Sequence, residues 1–327
     1  MRTLRGFISC LAACTALVGG NAAAAADAYP NRSIRMVVPF TAGGNADIVA
    51  RILTQELSNQ LGQTIVIDNR GGANGIIGTD AVAKSPPDGY TLLFTTGSQA
   101  INPIISRKLP YDTLGDFAPV ALVGITASHV LVVNPNSPFM TVQQLIDDGK
   151  KPDTKLSFGS AGVGNTMHLV GEYFKMLTHT SMLHVPYRGS APAVNALMAG
   201  EIGFLFLNPV GAIEQVKQGN LRALAVTGPQ RLKQLPDVPT MAEAGLPEFD
   251  LNGGWQGIFT TAGTPPDVIK KLNEKVAATL KVPSVRLRIE EIGMAPAGGP
   301  PTELNDYLKK DMKKFAEIAK AANIKPE

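Results

Sequence analysis

The stretch Val37-Val38-Pro39-Phe40-Thr41-Ala42-Gly43-Gly44-Asn45-Ala46-Asp47 decides how the chain folds. It reads as a buried strand, a glycine-rich turn and the start of an amphipathic helix, with Ile48, Val49, Ile52, Leu53 and Leu57 recurring at helical spacing. Such a junction leaves backbone N–H groups unpaired where the helix dipole is positive. Gly43 and Gly44 carry no side chain that would keep a ligand from those donors. The stretch is a candidate cradle for a carboxylate or phosphate, and it is equally an ordinary tight βα turn. Phe40, Thr41, Ala42, Gly43 and Gly44 are its candidate ligand-binding residues. Asp47 is a further candidate, with dipole complementation as its plainer role.

Working outward, strand-like runs at 34–40, 64–69, 91–95, 118–123, 129–134, 156–160, 182–187, 202–207, 221–227 and 251–260 alternate with amphipathic helical stretches. That alternation predicts an α/β architecture with mostly parallel sheets. Thr141-x-x-Gln144 and Thr240-x-x-Glu243 are capping boxes, and Thr264-Pro265-Pro266-Asp267 offers an N-cap. A last helix is predicted from about 302 to 322, burying Leu304, Leu308, Phe315, Ile318 and Ala322, with its lysines as a solvated face. Crossings at 117–134 and 221–227 divide the chain into a first lobe (27–124 and 228–327) and a second (125–227). Two such lobes with a cleft between them form a hinged receptor-like arrangement.

Residues 1–26 read as a secretory signal peptide. Arg2 and Arg5 precede an apolar run, and Ala24-Ala25-Ala26 stands before Asp27, so cleavage is expected after Ala26. The run is too short for a membrane anchor. Leu11-Ala12-Ala13-Cys14 also matches the pattern before a lipidated cysteine, but the apolar run continues through Thr15-Ala16-Leu17-Val18 as one h-region would. Cleavage removes Cys10 and Cys14, leaving neither disulfide nor thiol nucleophile. It also removes two of 30 basic and none of 27 acidic residues, so the net charge falls from +3 to +1. That balance argues against a nucleic-acid partner, which needs a basic face.

A second glycine-rich junction, Ser157-Phe158-Gly159-Ser160-Ala161-Gly162-Val163-Gly164-Asn165, opens another helix. If both lobes aim such loops at the cleft, one small anion is held from two sides. Ser160, Ala161, Gly162 and Asn165 are the candidates here, and His168 is either a contact or a packed histidine. Gly97 and Ser98 lie in a third turn, Thr96-Gly97-Ser98-Gln99, which follows the strand ending at Thr95 and could offer hydroxyl and amide groups to the same cleft. Arg188 also stands at a strand end, where open α/β sheets bind ligands, and could pair with a distal carboxylate; a surface ion pair is the alternative. Asn208 shares the positional argument.

Enzyme motifs are missing. Gly71-Gly72-Ala73-Asn74-Gly75-Ile76-Ile77-Gly78 departs from G-x-G-x-x-G, and Phe158 stands where G-x-S-x-G needs glycine. The four histidines form no zinc spacing, and no nucleophile–base pair is evident. No catalytic residue, metal or cofactor is expected.

Several motifs resemble one family. Residues 39–51 look like P-x-x-x-G-G-x-x-D-x-x-A-R, 69–75 like N-R-x-G-A-x-G, 160–169 like S-x-G-x-G-x-x-x-H-L, and 184–190 like H-V-P-Y-[RK]-G-S. Arg222-Ala223-Leu224-Ala225-Val226-Thr227, residues 236–240, Trp255-x-Gly257 and Ala262-Gly263-Thr264-Pro265 continue the match. The chain is similar to the Bug (TctC-like) extracytoplasmic solute receptors of tripartite tricarboxylate transporters. The resemblance implies a Venus-flytrap fold of the type II periplasmic binding class, a periplasmic location, a small organic carboxylate ligand and delivery to membrane permease subunits. It implies that backbone groups of 40–44 and 160–165 hold one carboxylate, partly through water. Leu207 stands where some relatives carry an acidic residue, which disfavours an amino-bearing ligand. A monomer without catalysis is expected. The alternatives are a sensor signalling to a membrane partner and a secreted enzyme acting on carboxylates.

Overall fold

A computed structural model of the chain describes residues 29–126, 128–249, 251, 253–321, 324 and 326. The expected signal peptide, both cysteines, and Ala322 of the expected C-terminal stripe lie outside the described residues.

The strands are β1 (Ile34–Val38), β2 (Ile65–Asn69), β3 (Thr91–Thr96), β4 (Phe117–Ile125), β5 (Val130–Val133), β6 (Ser157–Ser160), β7 (Leu183–Pro186), β8 (Phe204–Leu207), β9 (Arg222–Val226), β10 (Trp255–Thr261) and β11 (Ala295–Pro296). The helices are α1 (Asn45–Leu61), α2 (Ile76–Ala83), α3 (Ser98–Ile105), α4 (Val142–Gly149), α5 (Thr166–Thr178), α6 (Ser190–Ala199), α7 (Pro209–Lys217), α8 (Pro266–Lys281), α9 (Pro283–Glu291) and α10 (Pro301–Ala321). All ten expected strand runs contain a strand; only the two-residue β11 was not foreseen.

The strands sort into two sheets, ordered β11-β4-β10-β3-β1-β2 and β7-β6-β8-β5-β9. In the first, β1 runs parallel to β2 and β3, whereas β10 is antiparallel to β3 and β4. In the second, β6 runs parallel to β7 and β8, whereas β5 is antiparallel to β8 and β9. The two sheets thus repeat one plan, and in each a strand that arrives from the other lobe, β10 or β5, runs antiparallel to its neighbours; the two-residue β11 is antiparallel to β4 as well. Apolar runs such as Val130–Val133 and Phe204–Leu207 are fully buried, as expected for strands covered on both faces.

Three apolar clusters hold the layers together. One lies between the first sheet and α1, α8 and α9, around Leu53, Leu57, Phe94, Leu272 and Ile289. Another lies between the second sheet and α6 and α7, around Leu197, Leu205 and Ile213. The largest joins the lobes, running from Leu93 and Ile101 through Trp255, Leu308 and Phe315 to Phe158, Phe174, Phe204 and Phe206.

The return crossing comes later in the chain than expected. Residues 228–251 do not rejoin the first lobe. Val226 donates its N–H to Pro239 O and accepts from Met241 N, extending the second sheet past β9. Leu232 and Leu235 pack into the second lobe's core, and Phe249 stacks on Phe206 at 5.8 Å. The apolar residues of this Pro-rich stretch find their burial there, so the chain re-enters the first lobe only at Gly254–Trp255. At the hinge, Thr126 and Gly254 exchange hydrogen bonds of 2.7 Å.

Two local expectations also change. Thr240 and Glu243 do form reciprocal bonds, but they close a turn and no helix follows. Thr264 turns inward, donating to Thr261 O, and Pro265 caps α8.

Replacing Phe249 by Ala empties a buried site between Tyr173, Phe174 and Phe206. Urea unfolding should show a loss of about 3–5 kcal/mol. A change below about 0.5 kcal/mol, typical of a surface position, would mean that 228–251 is not integrated into the second lobe.

Candidate functional site

The carboxyl ends of β1, β3, β6, β7 and β8 all lead into helices, and all five helices start at the cleft. The cavity there is lined from the first lobe by Phe40, Asn45, Ala46, Thr96, Gly97, Gly254, Trp255 and Gln256. The second lobe supplies Ala161, Asn165, Thr166, Met167, Ser190 and Asn208. Its empty space is about 540 Å³, mouth included. Asn45 and Ala46 open α1, Gly97 caps α3, Asn165 caps α5, Ser190 opens α6 and Asn208 caps α7. The first turn of each helix holds N–H groups without intrahelical partners and a positive dipole end. No charged residue lines the cavity. An anion placed here is met by backbone dipoles and uncharged side chains, amides and hydroxyls among them.

The lobes touch across this cleft. Asn165 Nδ2 donates to Ser98 Oγ at 3.2 Å, and Asn208 Nδ2 to Thr126 Oγ1 at 3.4 Å. Gly164, at φ +71°, packs so tightly under Ile105 of the first lobe that a Cβ would fall 1.7 Å from Cδ1. Gly189 faces Thr41 in the same way, with a notional Cβ 2.3 Å from Thr41 Oγ1.

The sequence-expected residues divide into three groups. Phe40, Gly97, Ala161, Asn165 and Asn208 line the cavity. Gly44, Thr41 and Ser98 stand directly behind it. Gly44 caps α1 and lies against Ser190, and Ser98 holds Asn165.

The remaining residues do not reach the cavity. Ala42 and Gly43 are on the exposed outer side of the turn. Gly43 donates its N–H to Asp47 Oδ2 at 2.8 Å, which takes that donor out of the cradle. Asp47 is itself 2% exposed and accepts further bonds from Arg51 and Asn69. Burial opposes its charge, but Arg51, Gly43 and Asn69 outweigh it and hold the carboxyl below its usual range. Asp47 therefore shapes the loop from within.

Arg188 is exposed and lines a neighbouring groove with Lys108, Asn74 and Gly162; Phe40 and Ala161 form the wall between groove and cavity. Gly162 faces that groove too. Ser160 is fully buried beneath its loop.

His168 is 6% exposed, accepts the Gly164 N–H through Nδ1 at 3.0 Å and stacks on His184 at 3.8 Å. His184 Nε2 lies 2.7 Å from Ser160 Oγ. Contrary to expectation, a serine–histidine pair therefore exists. It is a brace: Ser160 Oγ donates to Gly162 O, and the imidazole is too weak a base for proton abstraction near neutral pH. Burial, then His168 and Lys175, lower His184 to about 3. Burial, then Lys175, lower His168 to about 4.

Sequence reasoning missed Asn45, Ala46, Thr166, Met167, Ser190, Gly254, Trp255 and Gln256 as lining residues. Asn45 and Thr166 had a usable signal, since each is the first helical residue after a glycine-rich turn. Among the described residues no group of three or more His, Cys, Asp or Glu side chains could hold a metal ion, and no helix is long and apolar enough to cross a membrane.

Residues 49–324 match the family described as the tripartite tricarboxylate transporter family receptor. The chain is 36% identical over 312 residues to protein BugT of Bordetella pertussis, covering 95% of each chain. Among solved structures it is similar to Rpa4515 of R. palustris with adipate, at 36% identity and a TM-score of 0.87, covering 91% of this chain and 100% of that one. It is also similar to MatC of Rhodopseudomonas palustris with bound malate, at 30% identity and a TM-score of 0.84, covering 89% and 99%. The fold is the expected two-lobed periplasmic binding architecture.

The buried His168 and the half-buried His184 give folding a pH dependence. An unfolded histidine takes a proton near pH 6.5, whereas in the fold protonation waits until about pH 4 for His168 and about 3 for His184. Between those values the unfolded chain binds more protons, so stability is full above about 6.5 and is lost as the pH falls. The thermal midpoint should drop between pH 7 and 4.5, and His168→Gln should drop less steeply. Equal slopes would contradict the neutral stack.

Proposed function

The chain belongs to the tripartite tricarboxylate transporter receptor family, and on that premise we propose that it is a periplasmic receptor that closes its two lobes over one small organic carboxylate. The observation that carries this reading is a cleft without charged side chains where five helix N-termini meet. The relatives that hold adipate and malate support the same ligand class.

In this reading the unpaired N–H groups of Asn45 and Ala46 grip the carboxylate from the first lobe. Those of Thr166 and Ser190 grip it from the second, with Asn208 beside them. Charge-assisted bonds to such donors are short and strong, and closure dries the cleft around them. The receptor performs no chemistry on its ligand. It acts as a monomer, is exported after cleavage behind Ala26, and delivers its ligand to the membrane subunits of a tripartite tricarboxylate transporter. An intact mass beginning at Asp27 would support the leader assignment, and a lipid mass on Cys14 would replace it.

Two outcomes test the binding mechanism. Calorimetric titration of the refolded protein with malate and adipate should find at least one binding. Because no titratable side chain lines the cleft, affinity should stay within about twofold from pH 6.5 to 8.5, where these acids are fully ionised; a steep change would require a charged contact. Gly164→Ala should weaken binding at least tenfold while each lobe stays folded, because the new methyl meets Ile105 when the lobes close. Unaltered affinity would separate closure from binding.

A further inference from the structure

Resting on the receptor reading above, we propose that Gln256 reads a hydrogen-bonding group on the ligand beyond its carboxylate, and that the preferred ligand is a hydroxycarboxylic acid. Four polar side chains of the lining are already committed. Asn165 caps Met167 N through Oδ1 and binds Ser98 through Nδ2. Asn208 caps Val210 N and reaches Thr126. Thr96 donates to Ser98, and the Trp255 indole donates to Asp311 at 2.8 Å.

Gln256 is different. It lies on β10 in register with Thr96 of β3 and lines the cavity while only 2% exposed. Its Oε1 is buried without a partner. Gln99, two residues beyond the cavity-lining Gly97, is 1% exposed and leaves both amide atoms unpartnered. The unpaired oxygen of Gln256 on β10 and the unpaired amide of Gln99 in α3 thus flank the carboxyl end of β3.

Buried amide groups are almost always hydrogen-bonded, and an orphan calls for a specific explanation. The helix ends supply donors only, and a carboxylate is an acceptor only, so those two match each other. The carboxylate takes up those donors and offers none of its own, whereas an amide oxygen needs a donor. A hydroxyl on the ligand carries both a donor and lone pairs, and so satisfies Gln256 in whichever sense its amide is turned. A second carboxylate satisfies the amide only when Nε2 is turned to it, whereas a hydroxyl satisfies the oxygen as it stands. Sites built to bond a hydroxyl reject the analogue that lacks it far more strongly than apolar pockets reject an added group. Family membership does not decide the matter, because the solved relatives hold both malate, which has a hydroxyl, and adipate, which has none.

The test uses acid pairs that differ only in the hydroxyl: malate with succinate, and 3-hydroxybutyrate with butyrate. The full chain is unfolded and refolded to strip co-purified ligand, then titrated calorimetrically. Emission from Trp255, the only tryptophan and a cleft residue, gives a second readout. Wild type should bind at least one hydroxy acid tenfold or more tighter than its partner. In Gln256→Met that ratio should fall to about one. Equal affinities within both wild-type pairs overturn the proposal even if the variant does not fold, and a ratio that survives in Gln256→Met overturns it too. In both cases the acids still bind, so the receptor reading stands. Failure of all four acids and adipate to bind overturns the receptor reading itself, and the proposal with it.

Discussion

An anion site without a cationic side chain has to obtain its positive potential from the backbone, and that requirement governs the architecture. One helix end supplies roughly half an elementary charge, so several must converge. Convergence needs parallel strands whose carboxyl ends share one edge, and a partner lobe that presents the same edge from the opposite side. The two sheets meet both conditions, and a central strand that runs against its neighbours in each, β10 or β5, ties it to the other lobe. The hinge, the cleft and the lobes follow from one electrostatic need.

Closure makes those dipoles effective, because their influence grows as water leaves. The contacts that seat the lobes are small and steric: Gly164 beneath Ile105, and Gly189 against Thr41. Behind the second-lobe loop, the stack of His168, His184 and Phe158 fixes the ridge that carries Gly164 and Asn165. Residues that look chemical in isolation therefore serve as framework. Asp47 gathers the first loop, Ser160 and His184 brace the second, and the ligand-facing surface carries no charged side chain.

Much of this was legible in the sequence. Ten strand runs, the glycine-rich turns and the C-terminal stripe of Leu304, Leu308, Phe315 and Ile318 follow from periodicity, which records burial directly. The illegible parts share a cause: they depend on direction or on distant partners. Nothing in the run 41–47 says that Gly43 N–H turns inward to Asp47 while Asn45 and Ala46 turn to the cleft. Nothing near Arg188 says that Phe40 and Ala161 wall it off. The late crossing at 251–255 was hidden because 228–251 lacks periodicity, its apolar side chains being placed by irregular packing on the second lobe. Trp255 and Gln256 looked like core on a strand, and they are core on one side and cavity wall on the other.

The placement of β10 also dictates an order of assembly. This strand lies in the middle of the first sheet, between β3 and β4, yet it is encoded after every strand of the second. During synthesis the first lobe consequently waits, its sheet split at the centre, until residues beyond 255 exist. The second lobe waits less, since β5 and β9 bracket it within one continuous stretch. Pairings this distant in sequence are slow to form, so the chain spends its nascent life without a closed first lobe, which is the state in which a polypeptide can still be threaded through a narrow channel.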